Sequence, residues 1–253
     1  DFFLFENVKG LWRTVKHRAF YDEMKDRLEK AGYILTDRLT NCIEYGVPQD
    51  RDRILLFGIH KSRASGINSS KLDNQFAWTN NVKFDRKVVL DKNIWPGHED
   101  YSQDSVKECP KSLIQLQELT VEHWFDKNDV YSHPNSKHHF IPRQALPKFK
   151  VILEGDDSKK SFKRLHRWRY SPTAAYGNNE VHLHPYKDRR LSAAEALAIQ
   201  SLPKEFSFPP TMSLSNMFKT IGNGVPFLAA EGVAKTILSF LNSLNGESLN
   251  ELE

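Results

Sequence analysis

Three short stretches of this sequence carry side chains of the kinds that manage charge in a reaction. Glu6-Asn7 closes a nearly all-apolar run, Asp1–Phe5. A carboxyl half-removed from water ionises less readily and can act as an acid or hydrogen-bond donor. The ordinary alternative is a loop acid solvated at a sheet edge. Gln49, Arg51 and Arg53 alternate within G-V-P-Q-D-R-D-R (Gly46–Arg53). In an extended backbone that spacing puts all three on one face, a rigid donor array suited to a carbonyl, phosphate or carboxylate. The competing arrangement is a solvated turn in which Asp50 and Asp52 pair with the arginines. Gly222-Asn223-Gly224-Val225-Pro226 is a tight turn before an apolar helix, and its amides could hold an anion. It lacks the full G-x-G-x-x-G spacing, so a plain structural turn is the better reading.

A fourth stretch is basic. Lys137–Arg169 holds ten Lys/Arg against three Asp/Glu, a local +7 that exceeds the whole-chain net charge of +4. Within it Lys159, Lys160, Lys163, Arg164, Arg167 and Arg169 are interleaved with His166, Trp168 and Tyr170. Cations mixed with aromatics suit a nucleic acid backbone; a solvated basic face is the rival reading. Upstream, Trp95–Val130 is acidic, with eight acids against three bases. His133, His138, His139, His182 and His184 have neither Cys-x-x-Cys companions nor a His-Glu-x-x-His pattern, so surface or phosphate-facing roles are expected and no metal.

These residues need elements to hold them. Asp1–Phe5 reads as a strand buried on both faces that begins without an approach loop, as at a cut or subunit boundary inside a sheet. From about Thr14, Phe20, Met24 and Leu28 recur every fourth residue, the pattern of an amphipathic helix that Gly32 ends. Tyr33–Leu35 and Arg53–His60 read as strands. Beyond His60 the pattern becomes irregular to about residue 170, with Lys148–Leu153 the one clear strand candidate. Ser192-Ala-Ala-Glu195 is a capping box, and Pro226 opens a last helix through Leu241. This is α/β organisation. Hydrophobic residues are 39% and charged residues 27% of the 253, an ordinary globular balance. No apolar run reaches the ~20 residues of a membrane span; Phe227–Leu241 is interrupted by Glu231 and Lys235. No membrane partner is expected. Two cysteines, Cys42 and Cys109, make no disulfide framework, which points to a reducing, cytoplasmic setting.

Taken in order, F-L-F-E-N-V-K-G-L (Phe3–Leu11), G-V-P-Q-D-R-D-R (Gly46–Arg53), S-P-T-A-A-Y-G (Ser171–Gly177), R-R-L-S-A-A-E-A-L-A-I-Q (Arg189–Gln200) and I-G-N-G-V-P (Ile221–Pro226) resemble the later motifs of the DNA cytosine-5 methyltransferases. The variable stretch falls where that family keeps its target recognition domain. The resemblance implies part of a Rossmann-like methyltransferase sheet with an inserted, smaller, mostly β or irregular recognition domain. Residues 1–62 would be the second half of the catalytic domain, 63–188 the recognition domain, and 189–253 helices returning to the catalytic domain. It also implies that S-adenosylmethionine methylates a cytosine flipped out of a specific duplex sequence, as in restriction-modification systems, with the enzyme nucleoid-associated in a bacterium.

The family's chemistry assigns roles. A thiolate attacks carbon 6 of the ring, helped by a carboxyl at the N3/N4 edge and an arginine on O2. By resemblance Glu6 is the carboxyl, with Asn7 orienting its loop, Arg53 is the O2 ligand and Arg51 a neighbouring active-site cation. Asn223, Gly224 and Val225 belong to the cofactor turn. Gln49 braces its own turn and joins the DNA-binding set of Lys163, Arg164, Arg167, Arg169, Thr173, Tyr176 and Asn178, where Thr173 matches a position touching the phosphate beside the flipped base. The family's Pro-Cys pair and glycine-rich cofactor motif are not in this sequence. Cys42 follows Asn41 and Cys109 precedes Pro110, so neither is nominated as nucleophile. A second polypeptide, or a missing N-terminal half, is expected to bring both motifs and share the cofactor. An inactive DNA-binding or regulatory relative is the alternative.

Overall fold

The computed structural model describes residues 1–142, 144–159, 161–174, 176 and 181–244. Its centre is a three-stranded sheet of β1 (Phe2–Val8), β2 (Tyr33–Asn41) and β3 (Asp52–His60), ordered β1-β3-β2 with both pairings antiparallel. Between β1 and β2 come the short α1 (Lys9–Arg13) and α2 (Val15–Lys30). Gly32, at φ +94°, turns the chain into β2; a Cβ there would stand 2.8 Å from the His60 ring.

Strand alternation divides the sheet into two faces. Leu35, Ile54 and Leu56 pack under α2 with Tyr21, whose hydroxyl donates to Asp37 at 2.8 Å. Ile34, Leu55, Phe57 and Ile59 pack on the other face against α3 (Ser69–Gln75) and the terminal α9 (Phe227–Leu244), through Leu72, Phe76, Val233 and Phe240. The C-terminal segment therefore returns to the sheet formed by the first sixty residues. Leu214–Leu244 has the length and hydropathy to be weighed as a membrane span. It is broken between α8 (Leu214–Asn223) and α9, and Ala229, Val233 and Phe240 are buried in the sheet core.

Three expectations change. β1 is not buried on both faces: among the described residues it pairs only with β3, and Phe2 and Leu4 are exposed. Glu6 and Asn7 lie inside that strand rather than beyond it. In α2, Tyr21 is the buried residue; Phe20 is exposed, because a three-stranded sheet is too narrow to cover the whole apolar stripe.

The described residues between 77 and 188 are mostly irregular. Their regular pieces are α4 (Arg86–Val89), 3₁₀ turns at Lys92–Ile94 and Lys111–Leu119, α5 (Val121–Lys127), α6 (Leu146–Phe149) and a two-residue parallel pair, β4 (Lys163–Arg164) with β5 (His182–Leu183). Lys148–Leu153 is not a strand. Pro147 favours the first turn of a helix, Phe149 is buried from that turn, and Val151 is left exposed with no partner strand. α7 (Ala193–Ile199) starts at the expected Ser192/Glu195 capping box.

Gly58, in the central strand, is enclosed: an added Cβ would lie 2.3 Å from Phe3 Cε1 and 2.9 Å from Leu35 Cδ2. Gly58→Ala is expected to overpack the sheet and cost about 1–3 kcal/mol, read as a lowered urea midpoint.

Candidate active site

The register sets Val8 opposite Arg53 and Glu6 opposite Leu55, so Glu6 and Arg53 are diagonal neighbours on one face of the sheet. Arg53 Nε meets Glu6 Oε1 at 2.6 Å, with the side chains 13% and 30% exposed. Arg53 also donates to the Asp52 carbonyl at 2.8 Å, which fixes the guanidinium at the strand end. The structure thus brings the two expected base-polarising residues together at a position that solvent still reaches. Asn7 accepts from the Val8 amide at 2.8 Å.

Alternation places Gln49 and Arg51 on the inner side of their loop, where both are buried. Gln49 accepts from the Ala174 amide at 2.9 Å and donates to Gln200 Oε1 at 3.1 Å. It is therefore a brace, and its assignment to DNA contact is corrected: a side chain buried among protein partners does not reach a duplex. Arg51 donates to the carbonyls of Ala174 at 3.2 Å, Gly222 at 3.0 Å and Gly224 at 3.1 Å. Burial pushes this guanidinium down to about 10, and it stays charged at neutral pH. Its Nη donors reach protein carbonyls while Nε is buried without a partner, so within this chain Arg51 acts as a bracket.

The same junction explains its other members. A Cβ on Gly222 would stand 2.9 Å from the Tyr176 amide, so only glycine permits this crossing. Gln200 donates to the Ile221 carbonyl, and the Phe227 amide returns to the Gln200 carbonyl at 2.9 Å. Thr173 donates from its hydroxyl to the Asp50 carbonyl at 2.6 Å. Asn223 and Val225 are exposed on the turn.

Asn41 and Gln200 are the positioning residues that sequence reading missed. Asn41 is fully buried; Oδ1 accepts from the amides of Ile43 and Arg51, and Nδ2 donates to Asp50 at 2.7 Å and Asp52 at 2.9 Å. Asn41-Cys42-Ile43-Glu44 forms a capping box, a pattern readable in sequence. Nothing local marks Gln200.

Neither cysteine is set up for attack. Burial pushes the Cys42 thiol up to about 12, outweighing Arg51 and Arg53 nearby. Burial also raises Cys109, which lies 3.7 Å from the Pro110 carbonyl. Both are thiols, not thiolates, at neutral pH.

The basic stretch is where sequence and structure part most. Arg164 is fully buried, stacked 3.9 Å over Tyr101 and donating to the carbonyls of Phe149, Ile152 (2.9 Å) and Lys187 (3.1 Å). Arg167 is buried on Glu154, with contacts of 2.8 and 3.0 Å, and reaches Ser105 as well. Arg169 leans toward Asp157 at 3.4 Å. Arg164 and Arg167 are thus corrected from DNA contacts to internal ties, while Lys163 stays partly exposed. A planar guanidinium can be buried when carbonyls or a carboxylate satisfy its fork. Tyr176 is also corrected: its ring packs edge-on to Phe218 at 5.1 Å and its hydroxyl is buried. His133, His182 and His184 are buried, and burial takes His182 and His184 down to about 3, leaving them neutral and unsuited to phosphate. Asn178 lies outside the described residues. Among the described residues no group of His, Cys, Asp or Glu is placed to hold a metal ion.

Comparison with known proteins follows the same lines. Residues 1–239 match the family model described as C-5 cytosine-specific DNA methylase. The chain is 56% identical over 243 residues to Type II methyltransferase M.NmeDI of Neisseria meningitidis serogroup C, covering 96% of this chain and 55% of that protein. It is 29% identical over 241 residues to Type II methyltransferase M.FnuDI of Fusobacterium nucleatum, covering 93% and 64%. It therefore spans about half to two thirds of the length of these relatives. Among solved structures, a protein described as a DNA modification methyltransferase encoded within an E. coli prophage shares the fold. Its TM-score is 0.60 at 22% identity, over 95% of this chain and 70% of that one.

The inward arginines lead to a stability test. Arg167→Met leaves the buried Glu154 with Lys107 at 3.5 Å and the residue 167 amide, and is expected to cost about 3 kcal/mol in urea unfolding, the low end for a broken buried pair; Lys163→Ala should stay within about 0.5 kcal/mol. Burial acts to raise the Glu154 carboxyl, but Arg167 outweighs it and holds the group below the usual carboxylate range. A depressed carboxyl adds stability above its unfolded value, about 4.3. That contribution should fade as pH falls below about 4 in the wild type, and the fade should be smaller in Glu154→Gln/Arg167→Met.

Proposed function

The chain belongs to the C-5 cytosine-specific DNA methylase family, and on that premise we propose that it supplies the base-polarising and DNA-reading parts of a DNA cytosine-5 methyltransferase. The substrate is a cytosine flipped from a specific duplex sequence, in a cytoplasmic restriction-modification setting. The observation that carries this reading is the Glu6–Arg53 pair, 2.6 Å apart and partly open to solvent. In the free chain each group holds the other in place over the position of the ring edge. With cytosine present, Glu6 meets the N3/N4 edge and Arg53 donates to O2. Charge that develops on the ring during attack at carbon 6 is then met by groups already oriented, which is where such groups lower a barrier most.

The residues at the cofactor turn fit an adenosyl ligand in part. Asn223 offers an exposed polar side chain beside exposed Val225 and Phe227, while the Gly222 and Gly224 carbonyls are occupied by Arg51. S-adenosylmethionine, when bound, supplies the methyl group. Among the described residues, Thr173, Lys163 and Arg169 of the expected DNA-contact set keep some access to a duplex. The attacking thiolate comes from polypeptide outside these 253 residues, since Cys42 and Cys109 are both held as thiols. The open edge of β1, with exposed Phe2 and Leu4, supports a strand from that polypeptide adding to the sheet and sharing the cofactor. The same cysteine chemistry favours a second reading, a DNA-binding or regulatory relative without catalysis.

Methyl transfer from labelled S-adenosylmethionine to duplex DNA separates the two. The chain mixed with a polypeptide carrying the Pro-Cys and glycine-rich motifs should transfer methyl groups, and Glu6→Gln or Arg53→Ala should lower the rate by roughly 10²–10³. Absence of transfer in every mixture, with duplex binding indifferent to Glu6→Gln, would establish the binding-only reading.

A further inference from the structure

With Arg164 and Arg167 turned inward, a duplex positioned over Glu6 and Arg53 must have its phosphate charge met by other side chains. Two partly exposed cations gathered on Asp52, the residue before Arg53, come from stretches far apart in sequence. Lys9 directly follows β1, one residue past the Val8–Arg53 pairing, and its Nζ lies 2.7 Å from Asp52 Oδ2. Arg86 opens α4, and its Nη2 lies 2.6 Å from Asp52 Oδ1. The path to Arg86 is pinned, because the Lys83 and Phe84 amides both donate to the Glu44 carbonyl at 2.8 and 3.1 Å and Asp85 caps the helix.

The pattern of exposure is uneven. The Asp52 side chain is only 9% exposed, whereas Lys9 is 49% and Arg86 34% exposed. A withdrawn carboxylate thus carries two cations whose outer sides remain open. An ammonium has three donors and a guanidinium five, so pairing with Asp52 leaves donors free on both heads. Burial works to raise the Asp52 carboxyl, but hydrogen bonds from Lys9 and Asn41 and the charge of Arg86 prevail and keep it below the usual carboxylate range. Asp52 is also the residue before Arg53, whose guanidinium donates to the Asp52 carbonyl. Strand alternation turns the Asp52 side chain to the face opposite Arg53, so the two open cations lie at the same strand end as the base-polarising pair, across the backbone from it. Exposed Arg13 and Lys16 extend the basic character beyond Lys9, in a stretch, Lys9–Arg18, that contains no acid.

We infer that Lys9 and Arg86, steadied by Asp52, form a phosphate clamp on the DNA backbone next to the target base. The carboxylate orders both long side chains before DNA arrives, which removes an ordering cost otherwise met on binding. Phosphate oxygens then take the outward donors, and each contact positions the strand without reading its sequence. The inference rests on the proposed function for its ligand, duplex DNA, and not for its geometry.

The experiment is fluorescence anisotropy of a labelled duplex with the full 253-residue chain, titrated with salt. Lys9→Ala and Arg86→Ala should each weaken binding and reduce the slope of log K against log salt by about 1, and the double variant by about 2. Arg86→Lys should restore most of the slope. Lys30→Ala, at the far end of α2 and paired with Asp26, should change nothing. Asp52→Asn should weaken binding, because the ordering of both cations is lost, while the salt slope stays near the wild-type value because both charges remain. A slope reduced by about 2 in Asp52→Asn would overturn the inference. Slopes unchanged in Lys9→Ala and Arg86→Ala would overturn the clamp while leaving the proposed function standing. A wild-type chain without salt-dependent duplex binding would overturn both. Loss of binding confined to a transfer-RNA ligand, with the duplex unaffected, would reassign the clamp to RNA and overturn it as stated.

Discussion

A buried guanidinium must find acceptors, and Arg51 finds three of them on segments that are distant in sequence. Its donors reach the carbonyls of Ala174, Gly222 and Gly224, so the loop entering β3, the strand-like stretch after Ser171 and the turn before α9 are held at one point. Gln49 and Gln200 complete the junction with neutral bonds between the same segments. Charge-assisted bonds are roughly twice as strong as neutral ones and are costly to leave unmade when buried. The spacing between β3 and the turn before α9 is consequently set by a residue whose hydrogen bonds all go to the protein's own carbonyls.

From that fixed point the sheet does the remaining positioning. β3 leaves the junction with Arg53 at its first turn of the pleat, and antiparallel pairing with β1 delivers Glu6 to it. A register shift by one residue would send Glu6 to the α2 face, among Tyr21, Leu35 and Leu56. The packed cores on both faces oppose such a slip. Asn41 ties the same loop from the β2 side by holding Asp50 and Asp52, which is why Asp52 can in turn order Lys9 and Arg86.

The inserted region shows how composition misleads about charge. A +7 stretch suggests a surface for polyanions, yet two of its arginines are among the most deeply buried side chains of the chain. Arg167 is neutralised by Glu154 and Arg164 is surrounded by carbonyls. With little regular structure to satisfy its own backbone carbonyls, an irregular region uses arginine forks for that purpose. Exposed cations and internal ties have the same composition and differ only in what the fold places around them.

Motif order, strand and helix alternation, the α7 capping box and the pairing of a carboxyl with an arginine were legible in the sequence, because each depends on residues close together or on a pattern of fixed period. The sequence by itself determined the family and the presence of Glu6 and Arg53 in its motifs, and it determined that neither Cys42 nor Cys109 stands in the Pro-Cys context. What only the tertiary structure decided was direction. It turned Gln49, Arg51, Arg164, Arg167 and Tyr176 inward, left β1 with an open edge, and brought Lys9 and Arg86 onto Asp52. The physical reason is that a side chain's type states which bonds it can make, whereas burial and non-local neighbours choose the partner, and those neighbours are 12 to 173 residues away in the chain.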